Sequence, residues 1–206
     1  SGKGGTGKTS TVAAFAALTD RAVVADCDVD AADLHLILSP TIRDRHDFIG
    51  GKRATIDPNI CIGCGRCQQH CRFHAIHLAP DGKTYQVNPL ACEGCGVCEL
   101  TCPTDAVKFG EAVNGEWYLS DTRHGHPMIH AKLGIAEENS GKLVTLVRRE
   151  AKAIAQAQGY PIVIADGSPG VGCPVMASLT GADLALLVTE PTPSGLHDLD
   201  RVAQLL

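Results

Sequence analysis

The sequence predicts an α/β fold, a parallel sheet covered by helices on both faces, interrupted by a small cysteine-rich α+β insert. Three observations carry that expectation. A glycine-rich loop, Ser1-Gly-Lys-Gly-Gly-Thr-Gly-Lys-Thr9, opens into a helical segment. Short, continuous apolar runs of strand length flank the middle of the chain, as expected for strands buried on both faces. Between them, Ile56-Asp-Pro-Asn-Ile-Cys61-Ile-Gly-Cys64-Gly-Arg-Cys67 recurs as Val87-Asn-Pro-Leu-Ala-Cys92-Glu-Gly-Cys95-Gly-Val-Cys98, an internal repeat with a period of 31 residues.

Taken in order, residues Thr9 to Thr19 read as a helix after the glycine-rich loop, and Ala22–Ala25 as a short buried strand. The repeat continues through Cys71/Cys102, Ala75/Ala106 and Ile76/Val107, so two copies of one small unit fill about residues 52–110. Glu116-Trp-Tyr-Leu-Ser and the histidine-rich stretch after it read as a hairpin. Asn139 or Ser140 is a candidate N-cap for a helix running to about Gln158. Tyr160–Ala165 and Leu184–Val188 are apolar runs of strand length. The expected division is therefore a first part of the α/β domain over 1–51, an insert over 52–110 and a second part over 111–206. A tandem arrangement would not put α/β sequence on both sides of the repeat.

Composition narrows the function classes. Of 206 residues, 18 are Lys or Arg and 23 Asp or Glu, a formal net charge of −5 that disfavours non-specific binding to nucleic acid or anionic membranes. Mean hydropathy is +0.03, in the globular range, and no apolar run approaches the ~18–20 residues of a membrane span. Lys3 and Lys8 before Val12–Leu18 superficially resemble a secretory leader, but the intervening glycines and the strand that follows argue against one. A reducing, cytoplasmic compartment follows, in which ten cysteines are read as metal ligands rather than disulfides.

Gly2, Gly7, Lys8 and Thr9 occupy the fixed positions of the phosphate-loop pattern G-x-x-x-x-G-K-[ST]. Phosphate needs backbone N–H groups at close range, and Gly2, Gly4, Gly5 and Gly7 remove the side chains that would obstruct it, with Lys3, Thr6 and Ser10 completing the loop. The following helix points its positive end at the anion. Lys8 is expected on the β- and γ-phosphates and the Thr9 hydroxyl on Mg²⁺. The run Lys3-Gly-Gly-Thr-Gly-Lys-Thr9 resembles the deviant Walker motif of the MinD/ParA/Mrp class of P-loop NTPases, which includes the nitrogenase iron protein. That resemblance implies an ATPase working as a homodimer with nucleotide at the interface, Lys3 reaching across to the partner subunit's nucleotide. It also implies switch I carboxylates in Asp26-Cys-Asp28-Val-Asp30, with Asp28 favoured and Asp26 second. Asp166-Gly-Ser-Pro-Gly170 resembles Walker B and switch II, where Asp166 would hold Mg²⁺ through water and Gly170 present an N–H to the γ-phosphate. Thr189–Pro193 sits where that class touches the base.

Cys61-x2-Cys64-x2-Cys67-x3-Cys71 and Cys92-x2-Cys95-x2-Cys98-x3-Cys102-Pro103 resemble bacterial two-cluster ferredoxins, in which the fourth cysteine of each run ligates the other cluster. The resemblance implies one [4Fe-4S] cluster on Cys61, Cys64, Cys67 and Cys102 and a second on Cys92, Cys95, Cys98 and Cys71. Zinc also uses C-x2-C, but two identical four-cysteine runs fit cubanes better. Arg72 stands where a proline is expected, which could alter the turn and would add positive charge near a cluster. Cys27 reads as a small buried hydrophobe. Cys173 reads as a buried thiol, with a dimer-bridging cluster ligand as the alternative, because the nitrogenase iron protein has a cysteine at the same spacing from its Walker B aspartate. His124, His126 and His130 share parity, but Pro127 interrupts the segment and packing is favoured over a metal site. His70, His74 and His77 are expected as surface or cluster-shielding residues.

The chain begins inside its phosphate loop and stops in a helical stretch, so a fragment of a longer protein is expected. The first functional expectation is an ATP-binding and hydrolysing iron–sulfur protein that couples dimer changes to electron transfer to a metalloprotein partner. The second is an ATP-dependent assembly or carrier protein for an Fe–S or other metal cofactor. A MinD-like positioning ATPase ranks third, because it leaves two clusters without a purpose.

Overall fold

The computed structural model describes residues 5–134 and 140–206, and Gly2, Lys3, Gly4 and Asn139 lie outside the described residues. The chain divides into two compact units. The first takes in the described residues up to Phe48, Gly115–Gly134 and 140–206; the second is Ile49–Asn114 with a short segment outside the described residues.

The first unit is built on a sheet. Helix α1 (Lys8–Leu18) leads to β1 (Val23–Asp26), α2 (Leu34–Leu38) and the long strand β2 (Thr41–Ile56), whose latter part belongs to the second unit. The chain returns on β5 (Val107–Asp121), turns into β6 (Pro127–Leu133), and continues through α5 (Ser140–Gln158), β7 (Val163–Asp166), α6 (Cys173–Leu179) and α7 (Pro193–Ala203). Strand order is β2-β5-β6-β1-β7. Strand β1 runs parallel to both β6 and β7, while β5 and β6 form the antiparallel hairpin expected from the sequence, pairing Gly115 with Leu133 through Asp121 with Pro127. The sheet is mixed rather than wholly parallel.

Alternation explains the two-sided core. Val23 and Ala25 of β1 join Ile129 and Ala131 of β6 on the face covered by α5, whose buried Leu143, Val144, Val147, Ala151 and Ala155 form one helical stripe. Val24 and Met128 point the other way, against Ala13, Ala16, Leu34 and Leu38 of α1 and α2. With neighbours on both sides and cover on both faces, all four β1 residues are buried.

One expected strand is absent. Leu184–Val188 forms no strand, and Leu184 is 88 % exposed. A strand needs a neighbour for its backbone groups, and β7, the last strand of the sheet, pairs among the described residues with β1 alone. β7 is also shorter than the expected run. Tyr160 N–H instead donates to Ala155 O after α5, and Ile162 O accepts from Val23 N.

The second unit keeps the repeat's symmetry. It contains α3 (Arg66–Gln69), β3 (Ile76–Leu78), β4 (Tyr85–Val87) and α4 (Val97–Thr101). β3 and β4 pair antiparallel, Ile76 opposite Val87. Asp57 N donates to Ala106 O at 2.9 Å, and its counterpart Asn88 N donates to Ala75 O at 2.7 Å. The core of this unit is small, with Ala54, Ile76 and Val107 packed against Cys67 and Cys98.

Candidate functional site

The two parallel strands β1 and β7 end in register at Asp26 and Asp166. Both carboxylates are 1 % exposed. Lys8, the first residue of α1, sends its Nζ to this strand end, 3.1 Å from Asp166 Oδ1 and 3.5 Å from Asp28 Oδ2. Gly7 caps the helix in the left-handed region, φ 84°. Three expected residues, Lys8, Asp28 and Asp166, are thus brought together, with Thr9 and Ser10 beside them in the first turn of α1. Gly5 and Gly170 also have positive φ, 100° and 90°.

The electrostatics are those of a site short of cations. Neither oxygen of Asp166 accepts a hydrogen bond; the Lys8 ammonium is close enough to pair with it but poorly aligned to donate. Asp26 Oδ1 accepts from Asp28 N at 3.2 Å, while its Oδ2 is buried without a partner. Burial first, and the charge of Asp166 second, push the Asp26 carboxyl up to about 7. Burial also raises Asp28, against the opposing pull of Lys8. A divalent cation would relieve the orphaned oxygens of Asp26 and Asp166, and carboxylates of this kind are the hard oxygen donors that Mg²⁺ takes. Ser168, which the sequence did not single out, donates to Cys27 O at 2.5 Å and ties the segment after β7 to the one after β1. A lone serine in a Gly-Ser-Pro turn carries no signal for such a bond.

Cys27 is buried as expected, and its thiol is pushed up to about 12, chiefly by burial. Cys173 corrects the expectation, because it is exposed at the first position of α6. Gly141 of α5 packs close to the Cys173 backbone and Cβ, where a Cβ on residue 141 would lie 3.1 Å from the Cys173 Cβ. The three histidines do not converge. His126 Nε2 lies 2.9 Å from Ala16 O, His130 Nε2 2.8 Å from Ser120 Oγ, and His124 is exposed beside Arg123. His70, His74 and His77 are exposed. In the Thr189–Pro193 segment, Thr192 caps α7 by accepting from Gly195 N at 3.0 Å.

In the second unit the eight repeat cysteines surround two cavities. One is lined by Cys61, Cys64, Cys67 and Cys102. The other is lined by Cys92, Cys95, Cys98 and Cys71. These are the groupings in which the last cysteine of each run serves the opposite loop. Among the described residues no group of three Cys, His, Asp or Glu forms a single-metal site.

The loops that shape the cavities need glycine. Gly63 (φ 68°) and Gly94 (φ 66°) are related by the repeat, and a Cβ on either would lie 2.3 Å from a backbone oxygen, of Lys83 or Lys52. Ala75 N donates to Cys71 Sγ at 3.3 Å. Burial pushes the Cys102 thiol up, but N–H groups of Thr104, Val107 and Ala106 and the Thr104 hydroxyl outweigh it, leaving it below the ordinary value. His74 and Asp105, three residues after Cys71 and Cys102, share the left-handed conformation (φ 52° and 55°), and the Arg72 guanidinium lies 5.0 Å from the Phe73 ring centroid.

Comparison with known proteins agrees with this chemistry. A family model described as 4Fe-4S dicluster domain matches residues 54–109. Uncharacterized protein MJ0578 of Methanocaldococcus jannaschii is 36% identical over the whole of this chain and 71% of its own length. Uncharacterized protein MJ0579 of the same organism is 31% identical over 48% of this chain and 35% of its own length. Among the described residues, no helix is long and apolar enough to cross a membrane.

Proposed function

This chain belongs to the family of uncharacterized protein MJ0578 of Methanocaldococcus jannaschii, and from that premise we propose that it is a nucleotide-driven iron–sulfur protein. It binds and hydrolyses ATP with Mg²⁺ in the Lys8 loop of a cytoplasmic P-loop NTPase domain, and couples the nucleotide state of a homodimer to electron transfer toward a metalloprotein partner. The observation that carries the reading is the meeting of Lys8 with Asp28 and Asp166 at the ends of two parallel strands, in a chain that also holds a 4Fe-4S dicluster domain.

In this reading Lys8 exchanges its carboxylate partners for phosphate oxygens and neutralises charge that grows as the γ-phosphoryl group leaves. The Thr9 hydroxyl, Asp28 and Asp166 would hold Mg²⁺, which supplies charge neutralisation across the phosphates. Asp28, the more exposed of the two β1-end carboxylates, is placed to orient the attacking water. Lys3 acts on the partner subunit's nucleotide. In the second unit, the four thiols around each cavity would hold a [4Fe-4S] cluster that accepts and passes single electrons.

A second reading, ATP-dependent assembly or delivery of a metal cofactor, is favoured by one observation, the exposed thiol of Cys173. The reduction potential of anaerobic protein, measured with and without MgATP, separates the two. A shift of several tens of millivolts supports gated electron transfer, since about 59 mV is tenfold for one electron. An unchanged potential overturns the coupling and turns attention to cluster transfer.

A further inference from the structure

We propose that Ser168 is a positioning residue for the Asp28 carboxylate, its hydroxyl holding the Cys27 carbonyl to the end of β7 and so keeping Asp28 beside Lys8 and Asp166. The inference rests on the nucleotide reading above and concerns what holds this acid in place once nucleotide and metal enter.

The paired residues of β1 and β7 end at Asp26 and Asp166, and the Cys27 N–H, donating to Asp166 O at 2.9 Å, makes the next bond across. The Cys27 carbonyl carbon is bonded directly to the Asp28 nitrogen. One further step of a parallel ladder would bring a backbone N–H to the oxygen of that carbonyl. Here the Ser168 hydroxyl donates to it instead. A side chain thus prolongs the tie between the two strand ends while the main chain turns away through Pro169 and Gly170, the latter at a φ of 90°. The anchor is fixed from its own side. Ser168 is 5 % exposed, and Gly167 runs so close to α6 that a Cβ there would lie 3.0 Å from Ser178 Oγ.

The other ties on Asp28 either stay local or belong to the charges of the site. Ala31 N donates to Asp28 O at 3.2 Å, inside the turn that follows. Asp28 N donates to Asp26 Oδ1 at 3.2 Å, and Lys8 Nζ lies 3.5 Å from Asp28 Oδ2. In the proposed reaction Lys8 turns to phosphate and a cation draws on the carboxylates. The bond from Ser168 to Cys27 O joins two neutral, buried groups, so it outlasts that exchange. A buried carbonyl without its donor costs free energy where it stands. Without the hydroxyl the Cys27–Asp28 segment therefore shifts, and the Asp28 carboxylate shifts with it.

The test uses the full chain with its clusters assembled anaerobically and left oxidised. Mn²⁺ replaces Mg²⁺ and is titrated into protein with ADP, its free form counted by electron paramagnetic resonance. ADP affinity is measured separately with metal chelated. Ser168→Ala is expected to weaken ADP-dependent Mn²⁺ binding roughly five- to tenfold, the worth of one net hydrogen bond, and to leave metal-free ADP affinity within about twofold. Ser168→Thr, which keeps the hydroxyl, should bind Mn²⁺ as the wild type does. Ser178→Ala removes a comparably buried hydroxyl that donates within α6 to Val175 O, and should lower the melting temperature without moving Mn²⁺ affinity. Should Ser168→Ala fail to fold, Ser168→Cys, a weaker donor of similar shape, carries the same expectation. Unchanged Mn²⁺ affinity, an equal loss in Ser168→Thr or Ser178→Ala, or a parallel loss of metal-free ADP affinity overturns the proposal alone. A wild type that binds no Mn²⁺ with ADP overturns the nucleotide reading, and the proposal with it.

Discussion

At the scale of single residues, geometry rather than composition sets the cost of change. Gly63, Gly82 and Gly94 all have φ between 66° and 68°, but only Gly63 and Gly94 are pressed against a backbone oxygen. Gly82→Ala is therefore expected to cost about 1 kcal/mol, the left-handed penalty alone. Gly63→Ala or Gly94→Ala has to displace a neighbouring backbone as well, and should lose iron from its cradle. Iron analysis beside thermal melts of the three variants checks the contrast. His130 gives a pH dependence. Burial, and secondarily the charge of His35, hold its imidazole down at about 4, against roughly 6.5 in an unfolded chain. Between those values the unfolded state binds the extra proton. Stability is therefore unaffected above about pH 6.5 and falls as pH drops toward 4, by at most about 3 kcal/mol. His130→Gln should flatten that slope in denaturant titrations at pH 7 and pH 4.5.

At the scale of elements, the parallel register of β1 and β7 forces two acids together. Neither strand alone is unusual; side by side, they leave Asp26 and Asp166 buried with too few partners. Such an arrangement lowers stability in return for a charged site. Asp26→Asn is expected to raise the melting temperature by a few degrees at pH 8 without nucleotide, since the carboxyl it removes is ionised there. Asp166→Asn removes the partner of Lys8 as well, and should abolish any Mg²⁺ dependence of nucleotide binding measured by calorimetry. A melting temperature unchanged or lowered in Asp26→Asn would refute the strained-pair account.

At the scale of the whole molecule, two units use different sources of stability. The first buries a two-sided aliphatic core; the second has few apolar side chains, and cysteines make up much of its core. For a unit so built, ligation is folding free energy. Chelation of iron is expected to release hydrogen-exchange protection at the Asp57 and Asn88 amides, which close the symmetric pairings of the second unit. Lys8→Ala, by contrast, should eliminate MgATP binding and leave iron content unchanged. Loss of iron in that variant, or retained MgATP affinity, would contradict the separate assignments.

Much of this was legible because its determinants are local in sequence. The cysteine spacing and the 31-residue repeat depend on tight turns that only particular residues permit, and α5 declares itself through its apolar stripe. The hairpin of β5 and β6 and the helix after the glycine-rich loop were legible on the same ground. Other features depend on what lies beside a segment, which spacing does not report. Leu184–Val188 has the composition of a strand but lacks a strand partner. Cys173 reads as a buried thiol but is exposed at the start of α6. Nor could the sequence tell Asp26 from Asp28 in burial, since only the register with β7 sets Asp26 against Asp166. The sequence by itself determined the ligand types and the place of the cysteine-rich insert, because local backbone chemistry is written residue by residue. The tertiary structure alone decided which acids share a site, because that depends on long-range register and burial.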